Sequence, residues 1–463
     1  NTGIRIQGLD GRYTQLLRDG FPLYGGFSSG LSIMQIPPLD LKSFEIIKGS
    51  ASTLYGGGAI AGLVNMTSKK PEEEKEFDIM LTQTHALGST GNVFYSQKKN
   101  KLGFTIYGSG NYQLPYDPEN DGFSNLPKSK TFSLNPKIFY YPNKKTTMWL
   151  GINSTLDERI GGDIEVIKGN SDSLHTYFEN NKSVRHSSQF SINHKINGKS
   201  QFNLKNSLVY FNRSLSIPDY QFKGNQFNTF SEINYQFRKK HLEFILGGNF
   251  YSNNFNEITD SLSRDQNDLS GGVFSNLLFD FSESLSLEAG VRVDKTKDYG
   301  IFALPKLSLL GKISKKLTAR LGGGLGYKTP DIFIEEAERL NYKNILPINP
   351  TALIAEKSIG GNFDLNYKTA LSKEVFLSIN QLFYFTSLEN SLLLENNGYG
   401  YYNFLNASDI VLSKGAETNI KLSYKDFKVL LNYAYINTTL NYLTNNPIKP
   451  LTAKHNIGSV FMY

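Results

Sequence analysis

From about residue 77 onward this chain repeats with a period of two. Leu285, Leu287, Ala289, Val291 and Val293 alternate with Ser286, Glu288, Gly290, Arg292 and Asp294. Phe202, Leu204, Leu208 and Tyr210 alternate with Gln201, Asn203, Lys205 and Ser207. Phe427, Val429, Leu431, Tyr433 and Tyr435 repeat the pattern less cleanly. Successive side chains of a strand point to opposite faces, so each segment has one apolar and one polar side. No apolar run approaches the roughly 18 residues that a membrane-spanning helix needs, so a helical membrane protein is excluded.

The connections separate the remaining β architectures. Short polar turns recur at Lys98–Lys101, Pro142–Lys145, Asn197–Lys199, Arg238–Lys240, Ser282–Ser284, Ser314–Lys316, Ser372–Lys373 and Lys425–Asp426. Longer linkers lie between them, at 113–130, 156–183, 212–224, 254–268, 328–356 and 386–412. Eight tight turns, with hairpins before, between and after them, predict 18 strands. Tight turns alternating with long loops, on strands of about ten residues, are the pattern of an outer-membrane β-barrel. A soluble sandwich also alternates, but has no reason to gather every long loop at one end. The tight turns are therefore expected on the periplasmic side and the long loops outside.

Composition agrees. The 463 residues include 32 Phe and 27 Tyr among many Asn, Ser, Lys and Gly. Aromatics favour strands, and Gly, Asn and Ser favour turns. The absence of cysteine removes disulfide scaffolds, thiolate metal sites and Cys nucleophiles. A mean hydropathy of −0.35 suits a barrel with one lipid-facing side and one wet lumen.

Residues 1–71 differ from the rest. They are rich in Gly and Pro and end at Lys69-Lys70-Pro71, before the acidic run Glu72-Glu73-Glu74. A charged join containing proline predicts a boundary, with one domain over 1–71 and a barrel over 72–463. Three runs carry a family resemblance. The first is Ile4-Arg5-Ile6-Gln7-Gly8-Leu9-Asp10-Gly11-Arg12-Tyr13, followed by Leu17-Arg18-Asp19-Gly20-Phe21-Pro22. The second is Ile36-Pro37-Pro38-Leu39-Asp40-Leu41-Lys42-Ser43-Phe44-Glu45-Ile46-Ile47-Lys48-Gly49. The third is Ser50-Ala51-Ser52-Thr53-Leu54-Tyr55-Gly56-Gly57-Gly58-Ala59-Ile60-Ala61-Gly62-Leu63-Val64-Asn65. Together they resemble the plug domain of TonB-dependent outer-membrane receptors. Gly326-Tyr327-Lys328-Thr329-Pro330, and Asn349-Pro350 with Glu356-Lys357-Ser358, are weaker echoes of the same family.

The resemblance implies a plug held in the lumen of a barrel in the bacterial outer membrane. It implies uptake of a scarce nutrient, driven by the TonB complex of the inner membrane, with no bond chemistry. The most frequent cargo of such receptors is a ferric siderophore or similar iron chelate. Cobalamin, haem, copper and oligosaccharides are alternatives, and so is a non-transporting adhesin or structural barrel. Partners are then TonB, outer-membrane lipid and lipopolysaccharide, and the small-molecule chelate. Neither a cofactor nor a resident metal is expected. The family's 22 strands exceed the 18 counted, so the expectation is a piece lacking the first part of the plug and four C-terminal strands. A complete 18-stranded barrel ending on Tyr463 is the alternative.

Candidate site residues follow. By resemblance, Leu23–Leu31 is an apical plug loop facing the external cavity. There Tyr24 and Phe27 offer flat apolar faces, and Ser28 and Ser29 offer hydroxyls. Tyr327, Tyr399 and Tyr401 lie on or beside long external loops, either as ligand contacts or as interfacial girdle residues. Arg5, Arg12, Arg18, Glu45 and Lys48 form a plug charge set able to pair with the lumen wall. Its simplest role is to hold the plug in place, and gating of transport is the alternative. The six histidines are scattered, without metal-ligand spacing, and residues 331–348, where the family's haem receptors place an axial His, hold none. Gly56-Gly57-Gly58 lacks the Lys-Ser/Thr of a phosphate loop. No nucleophile elbow appears, so an enzyme is not expected.

The net charge of +7 suggests an anionic partner until it is mapped. Fifteen basic residues against three acidic ones lie in and beside the tight turns, so the excess belongs to the periplasmic rim. Nucleic-acid binding thereby loses its support.

Overall fold

A computed structural model describes residues 4–23, 39–50, 52–259 and 262–463. Its N-terminal part forms a small sheet from β1 (Thr14–Arg18), β2 (Phe21–Pro22), β3 (Leu41–Lys48) and β4 (Gly62–Ser68), with a short helix α1 (Ser52–Tyr55). The strand order is β2-β1-β4-β3. β1 runs parallel to β4, and β2 and β3 are antiparallel to their neighbours. Leu9, Tyr13, Leu17, Phe21, Ala59, Ile60, Leu63 and Val64 are buried around it. Gly62, at φ +141°, turns the chain into β4 where any Cβ would lie 2.2 Å from the Ile47 carbonyl oxygen.

The remainder forms one antiparallel sheet of 18 strands, closed as a barrel. In chain order these are β5 (Glu76–Gln83), β6 (Gly88–Lys99), β7 (Leu102–Gln113), β8 (Lys128–Asn143), β9 (Thr146–Gly162) and β10 (Phe178–Lys195). There follow β11 (Ser200–Ile217), β12 (Tyr220–Lys239), β13 (Leu242–Glu257), β14 (Gln266–Ser282), β15 (Leu285–Thr296) and β16 (Gly300–Lys312). The last are β17 (Leu317–Lys328), β18 (Glu356–Ala370), β19 (Val375–Glu389), β22 (Val411–Tyr424), β23 (Phe427–Leu440) and β24 (His455–Met462). β20 (Leu392–Asn396) and β21 (Tyr402–Asn406) make a separate hairpin in the loop after β19. The loop after β9 holds helix α2 (Ile164–Lys168), and the loop after β17 holds helix α3 (Glu335–Arg339).

The strand count and all eight tight turns match the sequence reading. Strand length and four connections do not. Strands run from 8 to 20 residues, and all but β5 and β24 exceed the ten or so that cross a bilayer. Most of the linker expected at 212–224 is strand, because β11 runs to Ile217 and β12 restarts at Tyr220. The turns at 84–87 and 297–299 add short connections at the outer end, and 441–454 adds a long one. The barrel wall over β10–β13 thus rises beyond the membrane as paired strand.

The two faces divide as the alternation requires. Ile79, Ile138, Ile152, Val273, Ile301 and Leu307 are exposed outward. Arg213, Gln226, Asn228, Arg292 and Asp294 are buried inward. The largest apolar core lies high in the lumen. Phe211, Leu215, Phe222 and Phe255 of the tall wall meet Ile332, Phe333, Ala337 and Tyr342 of the loop that carries α3. Tyr342 stacks on Phe222 with centroids 4.3 Å apart. Arg264 donates to the Tyr342 carbonyl and pairs with Glu257. That loop is therefore folded inward over the plug.

Candidate functional site

A cavity of about 330 Å³ lies in the outer half of the lumen. Its floor is plug: Gly11, Arg12, Gln15 and Gly56–Gly58. Its wall comes from β12–β15, including Gln226, Tyr251, Asn253, Asp268 and Arg292. Tyr327, Lys328, Asp331, Phe333 and Glu335 close it from the β17 end and the folded loop. The lining is as polar as it is apolar. It contains six carboxylates and five cations. Several are already matched. Arg292 lies 2.7 Å from Asp294, Arg5 lies 2.6 Å from Glu335, and Lys328 lies 3.7 Å from Asp331. The cavity is close to charge-neutral, and residues 24–38 bring no charged side chain.

Ion pairs fasten the plug to the wall, and the one beneath the cavity is buried. Arg12 pairs with Glu356, whose side chain is 0% exposed, and Tyr13 donates its hydroxyl to the same carboxylate. Burial, with the carboxylate alongside, pushes the Tyr13 phenol well above its ordinary pKa. Asp10 and Lys449 lie 2.6 Å apart, and Lys48 pairs with Glu417. On the opposite side Lys137 reaches Asp19 at 2.5 Å and the Ser68 hydroxyl at 2.8 Å. Burial works against the Asp19 charge, but Lys137, the Ser68 N–H and Arg18 together more than offset it and hold the carboxyl below its ordinary pKa.

Tyr327 joins wall to plug. Its ring stacks on Phe302 at 3.9 Å and 2°, and its hydroxyl donates to Asp294 at 3.1 Å. Its backbone N–H donates to the Gly57 carbonyl at 3.2 Å. A Cβ on Gly57 would lie 2.2 Å from the Tyr327 ring, so only glycine lets the plug approach this closely.

The other expected residues separate. Tyr24, Phe27, Ser28 and Ser29 lie outside the described residues. Tyr399 and Tyr401 sit at the tip of the β20–β21 hairpin, 88% and 49% exposed, away from the cavity lining. Of the plug charges, Arg5, Arg12 and Lys48 reach barrel strands or loops. Arg18 pairs with Asp40, and Glu45 accepts from Asn65 at 2.9 Å, so both find partners within the plug instead. The wall partners Glu335, Glu356, Glu417 and Lys137 were not foreseen. Glu356 alone had a signal, in the Glu356-Lys357-Ser358 echo.

Comparison with known proteins places these features. Residues 1–63 match the family model of the TonB-dependent receptor plug domain. Residues 94–461 match that of the TonB-dependent receptor-like β-barrel. A curated relative, the iron-regulated outer membrane virulence protein of Vibrio cholerae, is 22% identical over 397 residues, covering 81% of this chain and 57% of its own length. The chain thus spans little more than half of that relative. The siderophore receptor PirA of Acinetobacter baumannii superposes with a TM-score of 0.79 at 17% identity, over 98% of this chain and 76% of its own. The copper transporter OprC also gives 0.79, at 13% identity, over 98% and 75%. At these identities the superpositions establish the fold and leave the cargo open. Plug, barrel and family models agree that this chain belongs to the TonB-dependent receptors, an outer-membrane family of receptors and transporters.

Proposed function

We propose that this protein takes up a ferric siderophore or similar iron chelate across the outer membrane, energised by TonB. The observation that carries the reading is the outer cavity. It holds about 330 Å³ between plug and barrel and carries aromatic faces from Tyr251, Tyr299, Tyr327 and Phe333. A few polar groups among aromatic faces are what orients a small organic ligand. The Vibrio cholerae relative is iron-regulated by name, and PirA is a siderophore receptor by name.

The charge balance narrows the class. A strongly anionic chelate needs a cationic cavity, and here the cations are matched by carboxylates. The favoured cargo is a chelate of near-zero net charge, such as a ferric trihydroxamate, rather than a triscatecholate. The test is binding of both chelates to the purified protein, with expression followed under iron starvation. Tighter trihydroxamate binding and induction by starvation are expected. Expression indifferent to iron and no binding of either chelate would end the reading. Tighter triscatecholate binding would end the charge argument alone.

A further inference from the structure

A second space lies below the outer cavity, on one side of the plug. It measures about 200 Å³. Leu17, Gly20 and Pro22 of the plug form one side, and Lys205, Asn234 and Gln236 of the barrel form the other. It extends toward the periplasmic ends of β12 and β13, which stop at Lys239 and start at Leu242. Tyr55 and Tyr251 line both this space and the outer cavity. The two cavities therefore meet at one pair of tyrosines, Tyr55 on plug helix α1 and Tyr251 on β13. The plug backbone also sits close there, because a Cβ on Gly56 would lie 3.7 Å from the Tyr251 hydroxyl.

We infer that cargo leaves the outer cavity along the β11–β14 side of the plug, through a constriction between Tyr55 and Tyr251. The inference rests on the uptake reading above and adds the path. Three observations support it. First, among the described residues the ion pairs between plug and barrel lie elsewhere, at β8 through Lys137, at β18 through Glu356, at β22 through Glu417, and at the outer loops. On the β11–β14 arc, Lys205 lies 3.6 Å from Glu232 of its own wall and touches the plug through the Gly20 carbonyl at 3.3 Å. The plug also meets this arc through Phe21, packed edge-on against Phe230 at 6.4 Å, but among the described residues it has no ion pair to break there, and a buried ion pair is the costliest such contact to open. Second, the path mixes apolar and polar groups and is not strongly charged. Asn234 and Gln236 offer amides, and Lys205 and Glu232 offset each other, which suits a near-neutral chelate shedding water. Third, Asn228 above the constriction is 1% exposed, faces the outer cavity and leaves its Oδ1 without a hydrogen-bond partner. A buried acceptor left unpaired is costly and awaits a donor from water or ligand.

The test is ion conductance of the purified chain in planar lipid bilayers, which needs neither cargo nor TonB. The wild type is expected to stay closed. Tyr251→Ala joins the two spaces and is expected to raise conductance several-fold. Tyr384→Ala, a buried tyrosine on β19, is expected to leave the barrel closed. The chain has no cysteine, so a single engineered thiol can be modified alone. In the Tyr251→Ala background, labelling Asn234→Cys with a bulky charged thiol reagent is expected to abolish most of the added current. Labelling Asn380→Cys on β19 should leave it. Strand circular dichroism and heat-modifiable migration establish that each variant is folded. If Tyr251→Ala fails to fold, Tyr55→Ala opens the same constriction from the plug side. A folded variant that stays closed overturns the inference. So does a current that labelling at Asn234 leaves intact, or that labelling at Asn380 blocks equally. A leak mapped to Asn234 beside a wild type that binds no ferric chelate would remove the cargo reading and keep the path.

Discussion

Glu356→Leu should loosen the plug without unfolding the barrel. The carboxylate is wholly buried and serves two plug groups, the Arg12 guanidinium and the Tyr13 hydroxyl. Its removal leaves Arg12, itself 8% exposed, as a buried cation without its contacting carboxylate, with only the more distant Asp331 and Asp10 to offset it. Breaking a buried pair from one side costs about 3–5 kcal/mol. The orphaned Tyr13 hydroxyl falls within that loss, since both groups lose the same acceptor. Replacing both partners by apolar residues is often close to neutral, so Arg12→Met with Glu356→Leu should recover most of it. The cost lies between plug and wall, so it should appear as earlier plug release.

The single tryptophan makes this measurable. Trp149 on β9 meets Phe21 of the plug edge-on at 5.5 Å, and Lys137 sits 5.0 Å over its ring. Plug release must change its emission. In a urea titration followed by Trp149 fluorescence, a loss of about 3–5 kcal/mol at a slope of about 1–3 kcal/mol per molar lowers the release midpoint by about 1–5 M. Strand circular dichroism should hold steady over that range. A Glu356→Leu midpoint equal to wild type would refute the reasoning. So would a double variant no better than the single one, since the cost would then come from packing rather than from a stranded charge.

Further outcomes test other contacts. Gly57→Ala places a Cβ 2.2 Å from the Tyr327 ring, an overpacking that costs about 1–3 kcal/mol, and should weaken chelate binding measured by calorimetry. The Asp19–Lys137 pair should make plug attachment acid-sensitive. Asp19 has a lowered folded pKa, so its contribution is present above the unfolded value of about 3.9 and lost as pH falls through the folded one. Trp149-monitored release against pH should show this loss, and Lys137→Met should remove it. In the outer loop, His175 sits 2.7 Å from Asp163, and that hydrogen bond raises its pKa. Its contribution is complete below about 6.5 and lost as pH rises through the folded value. A His175 NMR titration should shift downward in Asp163→Asn, and an unmoved midpoint would dismiss the pair.

Much of the barrel was legible because it obeys two local rules. Alternation at 285–294 and 201–210 marks strands, and polar turns such as Lys425–Asp426 mark the periplasmic end, so the strand count follows without tertiary information. The expected loop at 212–224 failed for a physical reason. Above the membrane a strand no longer needs a greasy outer face, so Ser214, Ser216, Gln221 and Lys223 keep pairing while their sequence looks like loop. The plug charges were legible for a similar reason, since cations in a Gly-rich segment bound for a closed lumen need partners. Their partners were not. Arg12 and Glu356 are far apart in sequence, and only the seating of the plug fixes which wall residue each cation meets.

The inward face of the tall wall shows how such a site could have been found. A barrel lumen is expected to be polar. Yet Phe211, Leu215, Phe222 and Phe255 occupy inward positions at the outer ends of β11, β12 and β13 and are almost fully buried. Apolar side chains persist at wet-facing positions only if something covers them, because exposing them forgoes about 25 cal/mol for each Å² left uncovered. The cover is the loop after β17, through Ile332, Phe333, Ala337 and Tyr342. That docking places Glu335 against Arg5 and brings Asp331 and Phe333 to the cavity. Four misplaced apolar residues thus mark where the loop must fold, and the folded loop completes the site between β12–β15 and the plug. In a barrel of this kind, then, inward residues that break the polar pattern locate the loop that closes the outer cavity.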